Sequence, residues 1–167
     1  MTNEVPAKGA FWQFAVQAWR QPGVERACLA LQDSFSVPVT AVLLGGWLGR
    51  AGYPADEALA RQAMALVEEW EAQRLAPLRA LRRQVAARAE WREWKRLLQD
   101  AELEGERLLL ETLEQLVGQH PRAAQPTITL HAWWLLLVPQ GASCEGITAL
   151  LQQLGELLVP PDAAQAQ

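Results

Sequence analysis

The sequence predicts a single all-α domain. Leucine, alanine, glutamate, arginine and glutamine dominate its 167 residues and β-branched residues are sparse, a composition that favours helices and leaves little material for a sheet. Apolar residues recur at three- and four-residue spacings through most of the chain, the period of a helix with one buried face. A chain of this length fits one domain and can bury roughly 70% of the surface that its unfolded form exposes. The expected architecture is a bundle of about six to eight helices over residues 10–159, with one long helix near residues 90–117. Residues 1–9 read as a flexible N-terminus and residues 160–167 as a disordered tail.

The first helix is expected from about Ala10 to Arg20, where Phe11, Phe14, Ala15, Ala18 and Trp19 share a face. Pro22 and Gly23 end it, and a second helix starts at that proline, with Val24, Ala27, Cys28, Leu31 and Phe35 on one side. Val39 to Leu48 is apolar almost all round, which marks a buried helix. Its paired Gly45 and Gly46 weaken it by roughly 1 kcal/mol each relative to alanine, a cost that makes sense where another helix crosses closely. A hinge or a ligand contact to the backbone is the functional alternative. The three helices are expected to form a hairpin core, with the long helix packed across them.

Gly49 to Pro54 reads as a loop containing Arg50 and Tyr53, and Pro54 to Glu57 as a helix start with acids in its first turn. This fourth helix is expected to reach about Leu75 and to bury Leu59, Ala63, Leu66, Val67 and Trp70. Pro77 then opens a segment in which Leu78, Leu81, Val85 and Ala89 cluster on one side of the helical wheel. From Trp91 the apolar stripe moves to between about 0° and 160°, counted from Arg79, and takes in Trp94, Leu97, Leu98, Ala101, Gly105, Leu108, Leu109, Leu113 and Leu116. One straight helix cannot bury both stripes against one core, so a break is expected near residues 86–90.

Gly118 to Pro126 reads as a loop. TLHAWWLLLV reads as a short buried helix, although Ile128 to Leu130 can also be extended. Pro139 to Ser143 is a turn, and the last helix, from about Ser143 to Leu158, buries Ile147, Leu150, Leu151, Leu154 and Leu158.

Charge is distributed unevenly. Of the 15 basic residues, 8 lie between Arg74 and Arg96, in a block of net charge +6, and Asp100 to Glu114 follows with net charge −5 in a molecule of net charge −4. Such blocks form solvated helix faces or docking faces. Arg79, Arg82 and Arg83 share one face, and Arg88, Arg92, Lys95 and Arg96 lie on another about half a turn away. These seven are the candidate contacts for a protein partner or a nucleic acid. Two separate faces and a pI near 5.2 weaken the nucleic-acid reading. The basic block can also pair internally with the acids that follow it.

No phosphate loop, dinucleotide fingerprint, zinc cysteine pattern or serine nucleophile elbow is present. His120 and His131 are 11 residues apart, not the i, i+4 spacing of a helical metal pair. Glu102 and Glu106 are four apart, but the Glu-x-x-His partners of a di-metal bundle site are absent, so ion pairs to arginines are the expected role. Asp33 is placed to cap the loop after it or to pair with Arg26 or Arg50. Cys28 and Cys144 both fall in apolar patterns and read as core residues rather than a disulfide. Eight tryptophans against one tyrosine invite a stacking surface, yet most lie on apolar helix sides and read as core. No metal or cofactor is expected. The N-terminus lacks a signal-peptide apolar region, and the run Ile128 to Val138 is shorter than the roughly 20 residues of a membrane span. A soluble, cytoplasmic protein with no membrane contact is therefore expected.

The strings FWQFAVQAWRQPGVERACLALQDSF, VTAVLLGGWLGR, PLRALRR and AELEGERLLLETLEQL occur in order over about residues 10–117. In this the chain resembles an uncharacterised bacterial family of short all-helical proteins, the DUF2390 domain of unknown function. It departs from the family pattern after LQD, where members typically carry glycine and then Asp-Val-Asn, and Phe35 to Thr40 stand here. The resemblance implies a helical fold and brings no activity.

The leading expectation is a non-enzymatic interaction protein that docks a protein partner or its own copy through the arginine-rich and acidic helical surface. RNA, DNA or ribosome contact through residues 74–96 is second. An enzyme or small-ligand pocket lined by Trp12, Trp47, Trp133 and Asp33 is third.

Overall fold

The computed structural model describes residues 9–122, 129–138 and 145–159, and every regular element among them is helical. The order is α1 (Ala10–Trp19), α2 (Val24–Phe35), α3 (Val39–Arg50), α4 (Glu57–Trp70), a π turn (Glu71–Leu75), α5 (Ala76–Val85), a 3-10 turn (Ala89–Trp91), α6 (Arg92–Val117), α7 (Leu130–Leu137) and α8 (Glu145–Leu158). The expected all-α fold with a long helix near 90–117 is the fold observed. Expectations for residues 1–8, 123–128, 139–144 and 160–167, among them the loop around Pro126, the turn after Pro139, Cys144 and the tail, lie outside the described residues.

The centre of the molecule is α3, buried without interruption from Ala41 to Gly49. Its most extensive neighbour is α7 rather than α1 or α2, so the core is not the hairpin of the first three helices. The glycines make that packing possible. A Cβ on Gly45 would sit 2.8 Å from Trp134 Nε1, and one on Gly49 would sit 2.5 Å from Leu130 Cα. Gly46 faces the other way, towards Phe14 and Leu158. The closeness lets the indole N–H of Trp134 donate to the Val42 carbonyl at 2.8 Å, while Trp133 donates to the Tyr53 carbonyl at 2.9 Å. Two buried tryptophans thereby satisfy their only polar atoms on the backbone of α3 and the loop after it.

Pro22 does not begin α2. Gly23 stands between them with φ of 95°, a conformation that closes the turn and forces the helix to start at Val24. Asp56 caps α4 by accepting from the Leu59 N–H at 2.8 Å. Pro77 does not open a new helix either. The chain stays helical from Glu57 to Val85, because the π turn before the proline widens the backbone where the usual bond to its missing N–H is lost. The break predicted near residues 86–90 is present as the corner between α5 and α6.

Helix α6 runs back along α5 and touches α4 and α1, rather than crossing the first three helices. It contributes Glu114, whose two carboxylate oxygens accept from the N–H groups of Ala10 and Phe11 at 3.0 and 3.1 Å. The start of α1 thus takes its cap from a residue about a hundred positions away, and the negative charge meets the positive end of the helix dipole. Gly9 leaves room for that carboxylate.

Candidate functional site

The basic block divides into three parts. Arg79 and Arg82 turn inward, where the Arg82 Nε donates to Glu102 at 2.5 Å and Arg79 reaches Glu71 at 2.5 Å and Glu106 at 3.1 Å. Arg79 also lies 3.9 Å from Glu102, which is only 8% exposed. These groups tie α5 and the π turn to α6, and the bond to Glu102 raises the pKa of Arg82 further. Beside them the Trp70 indole donates to the Gly105 carbonyl at 3.1 Å.

A second part is paired on the surface. Arg74 lies over the Trp70 ring, with Glu69 at 3.5 Å. Arg96 bridges Glu93 and Asp100, and the guanidinium holds the Glu93 carboxyl below its usual range. Arg107 bridges Glu104 and Glu111 in the same way. Every acid from Asp100 to Glu114 is engaged by an arginine or by the start of α1.

Arg83, Arg88, Arg92 and Lys95 form the third part. None of them makes an ion pair among the described residues. In the chain they flank the corner between α5 and α6, where the Arg88 guanidinium lies 4.4 Å from the centre of the Trp91 ring and Trp91 meets Trp94 edge-on at 5.5 Å.

From that corner an apolar strip runs along α6. Trp94 is 44% exposed, Leu97 53% and Leu108 40%, with exposed Ala101 between the leucines. All four belong to the stripe that hydrophobic periodicity predicts as buried. The buried residues are instead Leu98, Glu102, Leu109, Leu110, Leu113 and Val117, which span about 100° to 220° on the same wheel and leave about 0° to 60° uncovered. The inward arginines of α5 draw the Glu102 side of the helix towards them. A wheel that weighs hydrophobicity alone does not register that attraction.

The four residues expected to line a pocket lie in different settings among the described residues. Trp133 is sealed in the core, Asp33 is exposed on α2, and Trp12 is half-buried on α1. Trp47 stacks on Phe11 at 4.8 Å and lines a shallow groove of about 300 Å³ with Gln13, Phe14, Gln17, Arg50 and Ala51. His131 is exposed and His120 half-buried, and no group of three metal-ligating side chains occurs among the described residues. None of the described helices is long and apolar enough to cross a membrane.

Sequence reasoning missed Tyr53. Its carbonyl accepts from Thr129 Oγ1 as well as Trp133, and its hydroxyl accepts from Arg122 Nε at 3.0 Å. A lone tyrosine in a predicted loop carried no periodic signal. The Glu114 cap was equally hidden, since its partners are backbone groups far away in the chain.

A family model described as "Protein of unknown function (DUF2390)" matches residues 10–113, more than half of the chain. The chain belongs to the DUF2390 family. In this DUF2390 protein the matched region covers α1 to α5 and most of α6, including the inward ion-pair network and the exposed strip. No curated protein and no solved structure matches the chain.

Proposed function

We propose that this DUF2390 protein is a non-enzymatic docking module of the bacterial cytoplasm that binds a protein through the exposed face of α6. The observation that carries this reading is the uncovered strip of Trp94, Leu97, Ala101 and Leu108 along one face of α6. An exposed apolar row costs solvation free energy in the isolated protein, and such rows mark interaction sites. The surroundings favour binding over chemistry. The strongest ion pairs are structural, and Cys28 is sealed in the core with its thiol pushed up to about 12 by burial, too high for a nucleophile.

Site-specific photocrosslinking tests the reading. With p-benzoylphenylalanine at Leu97, irradiation in nuclease-treated native extract yields a discrete crosslinked protein, and the same group at Leu103, which is 55% exposed on another side of α6, does not. Equal crosslinking at both positions, or none at either, overturns the proposal.

A further inference from the structure

We infer that the hairpin of α5 and the first half of α6 is a hinged arm, which swings as one piece against the core about the π turn and Gly105, with Arg79 as the strap that holds it. The inference goes beyond the docking reading and stands without it. Burial is the first ground. The contiguous apolar core takes in Leu75 at the end of the π turn and resumes at Leu109, and no residue from 76 to 108 belongs to it. Between those limits only Val85, Leu98 and Glu102 are buried. The substantial neighbours of α5 are α6 and the π turn alone. A segment with so few buried apolar contacts belongs to the low-stability end of a fold.

The second ground is that both strands of the hairpin are weakened at one level. On the outgoing strand Pro77 has no N–H to donate, and the π turn before it carries a widened backbone. On the returning strand Gly105 is the one glycine within α6, with no side chain to stiffen the helix. The two points face each other. The Trp70 indole donates to the Gly105 carbonyl at 3.1 Å, and a Cβ on Gly105 would lie 3.0 Å from Leu75 Cδ2. Hinges are a few positions whose backbone absorbs a change of φ and ψ, and two of them side by side let a two-helix element tilt without unfolding.

Ion pairs set what moves and what holds. Beyond the hinge, the bond from Arg82 to Glu102 and the burial of Val85 and Leu98 join the two helices, so they travel together. Arg79 pairs with Glu102 of the arm and also reaches back over the hinge on both strands, to Glu71 at the start of the π turn and to Glu106 just past Gly105. The side chains of Glu71 and Glu106 are each 44% exposed, so salt weakens this strap. A swing also alters the exposed row. Trp94, Leu97 and Ala101 ride on the arm whereas Leu108 lies beyond Gly105, so a tilt divides the row into two pieces.

Double electron–electron resonance on the full-length protein, in a Cys28→Ala, Cys144→Ser background, tests the inference. One spin label is placed at exposed Gln84 near the end of α5, and the other at exposed Gln32 on α2 or exposed Gln152 on α8, so that a swing invisible in one distance registers in the other. An arm built on the ten residues of α5 is about 15 Å long, and a tilt of about 30° moves its end by about 8 Å. The parent is expected to show a main distance and a displaced minor population. Arg79→Ala raises that population at least about threefold with helicity by circular dichroism unchanged, and about 1 M salt moves the parent in the same direction. Pro77→Ala, which restores the missing N–H and stiffens the outgoing strand, lowers it. Arg96→Ala, whose pairs with Glu93 and Asp100 stay within the arm, leaves it at the parent's level. A single narrow distance in both the parent and Arg79→Ala overturns the inference, as does an equal rise in Arg96→Ala or no response to Pro77→Ala. Loss of helicity in Arg79→Ala replaces a hinge by local unfolding and overturns it as well.

Discussion

Placing a single methyl group on Gly49 tests the α3–α7 packing on which the core depends. The ideal Cβ of Gly49→Ala falls 2.5 Å from Leu130 Cα and 2.8 Å from the Thr129 carbonyl carbon, where ordinary contact begins at 3.4 Å. Both are backbone atoms, which cannot rotate aside, so the start of α7 must retreat by about 1 Å. That movement stretches three hydrogen bonds: Thr129 N–H to the Gly49 carbonyl at 3.2 Å, and Thr129 Oγ1 and Trp133 Nε1 to the Tyr53 carbonyl at 3.2 and 2.9 Å. Alanine gains about 1 kcal/mol over glycine in a helix interior. Overpacking costs about 1–3 kcal/mol and each weakened bond up to about 1 kcal/mol, so the net destabilisation is about 3 kcal/mol. At about 2–4 °C per kcal/mol for a domain of this size, the unfolding midpoint falls by about 6–12 °C. Thermal and urea unfolding followed by far-UV circular dichroism and tryptophan fluorescence measure it. Gly155→Ala is the control, because its Cβ meets only Trp134 Cζ3 at an ordinary 3.7 Å, and it should stabilise by about 0.5–1 kcal/mol. A Gly49→Ala protein as stable as the parent, alongside a stabilised Gly155→Ala, refutes the close approach of α3 and α7.

Other perturbations probe the remaining joints. Glu114→Ala removes the acceptor of two N–H groups at the start of α1 and should cost about 1–2 kcal/mol in urea unfolding. Gly9→Ala, which crowds the same carboxylate, should add little once Glu114 is gone. Glu102→Ala leaves Arg79 and Arg82 without their shared buried carboxylate and should cost about 2–3 kcal/mol, discounted for the partial exposure of both arginines. A double-mutant cycle with Arg82→Ala should then show positive coupling between the two. For Cys28, the folded thiol lies above its ordinary value of 9.0, so its contribution to stability is complete below about pH 9 and is lost as pH rises towards about 12. In a Cys144→Ser background, Cys28 should resist thiol reagents at pH 8 until urea unfolds the chain, and rapid labelling in the native state would contradict its burial.

Elements whose cause is local were legible in the sequence. The buried character of α3, the faces of α1, α2 and α8, the start of α4 within Pro54 to Glu57 and the break between α5 and α6 all follow from period and turn chemistry close in the chain. The glycines of α3 correctly announced a close crossing, but not which helix makes it, because α7 lies some 80 residues further on. Pro77 misled as a helix start because nothing in one-dimensional spacing distinguishes a new helix from a continuous one relieved by a π turn.

The same division holds for the candidate surface. Sequence alone determined the helical class, the eight cations between Arg74 and Arg96 and the acids that follow them. Only the tertiary structure decided which of those charges cancel. Packing α5 against α6 brings Arg79 and Arg82 within hydrogen-bond reach of Glu102 and Glu106, and it turns α6 so that Glu102 faces inward among leucines while a second apolar row faces water. Ion pairing depends on distances across helices, which composition and period do not contain, and burial depends on which neighbour arrives first at each face. What reads in the sequence as a basic block is, in the folded molecule, an internal clamp of two arginines, two arginines paired on the surface and four cations that make no ion pair among the described residues.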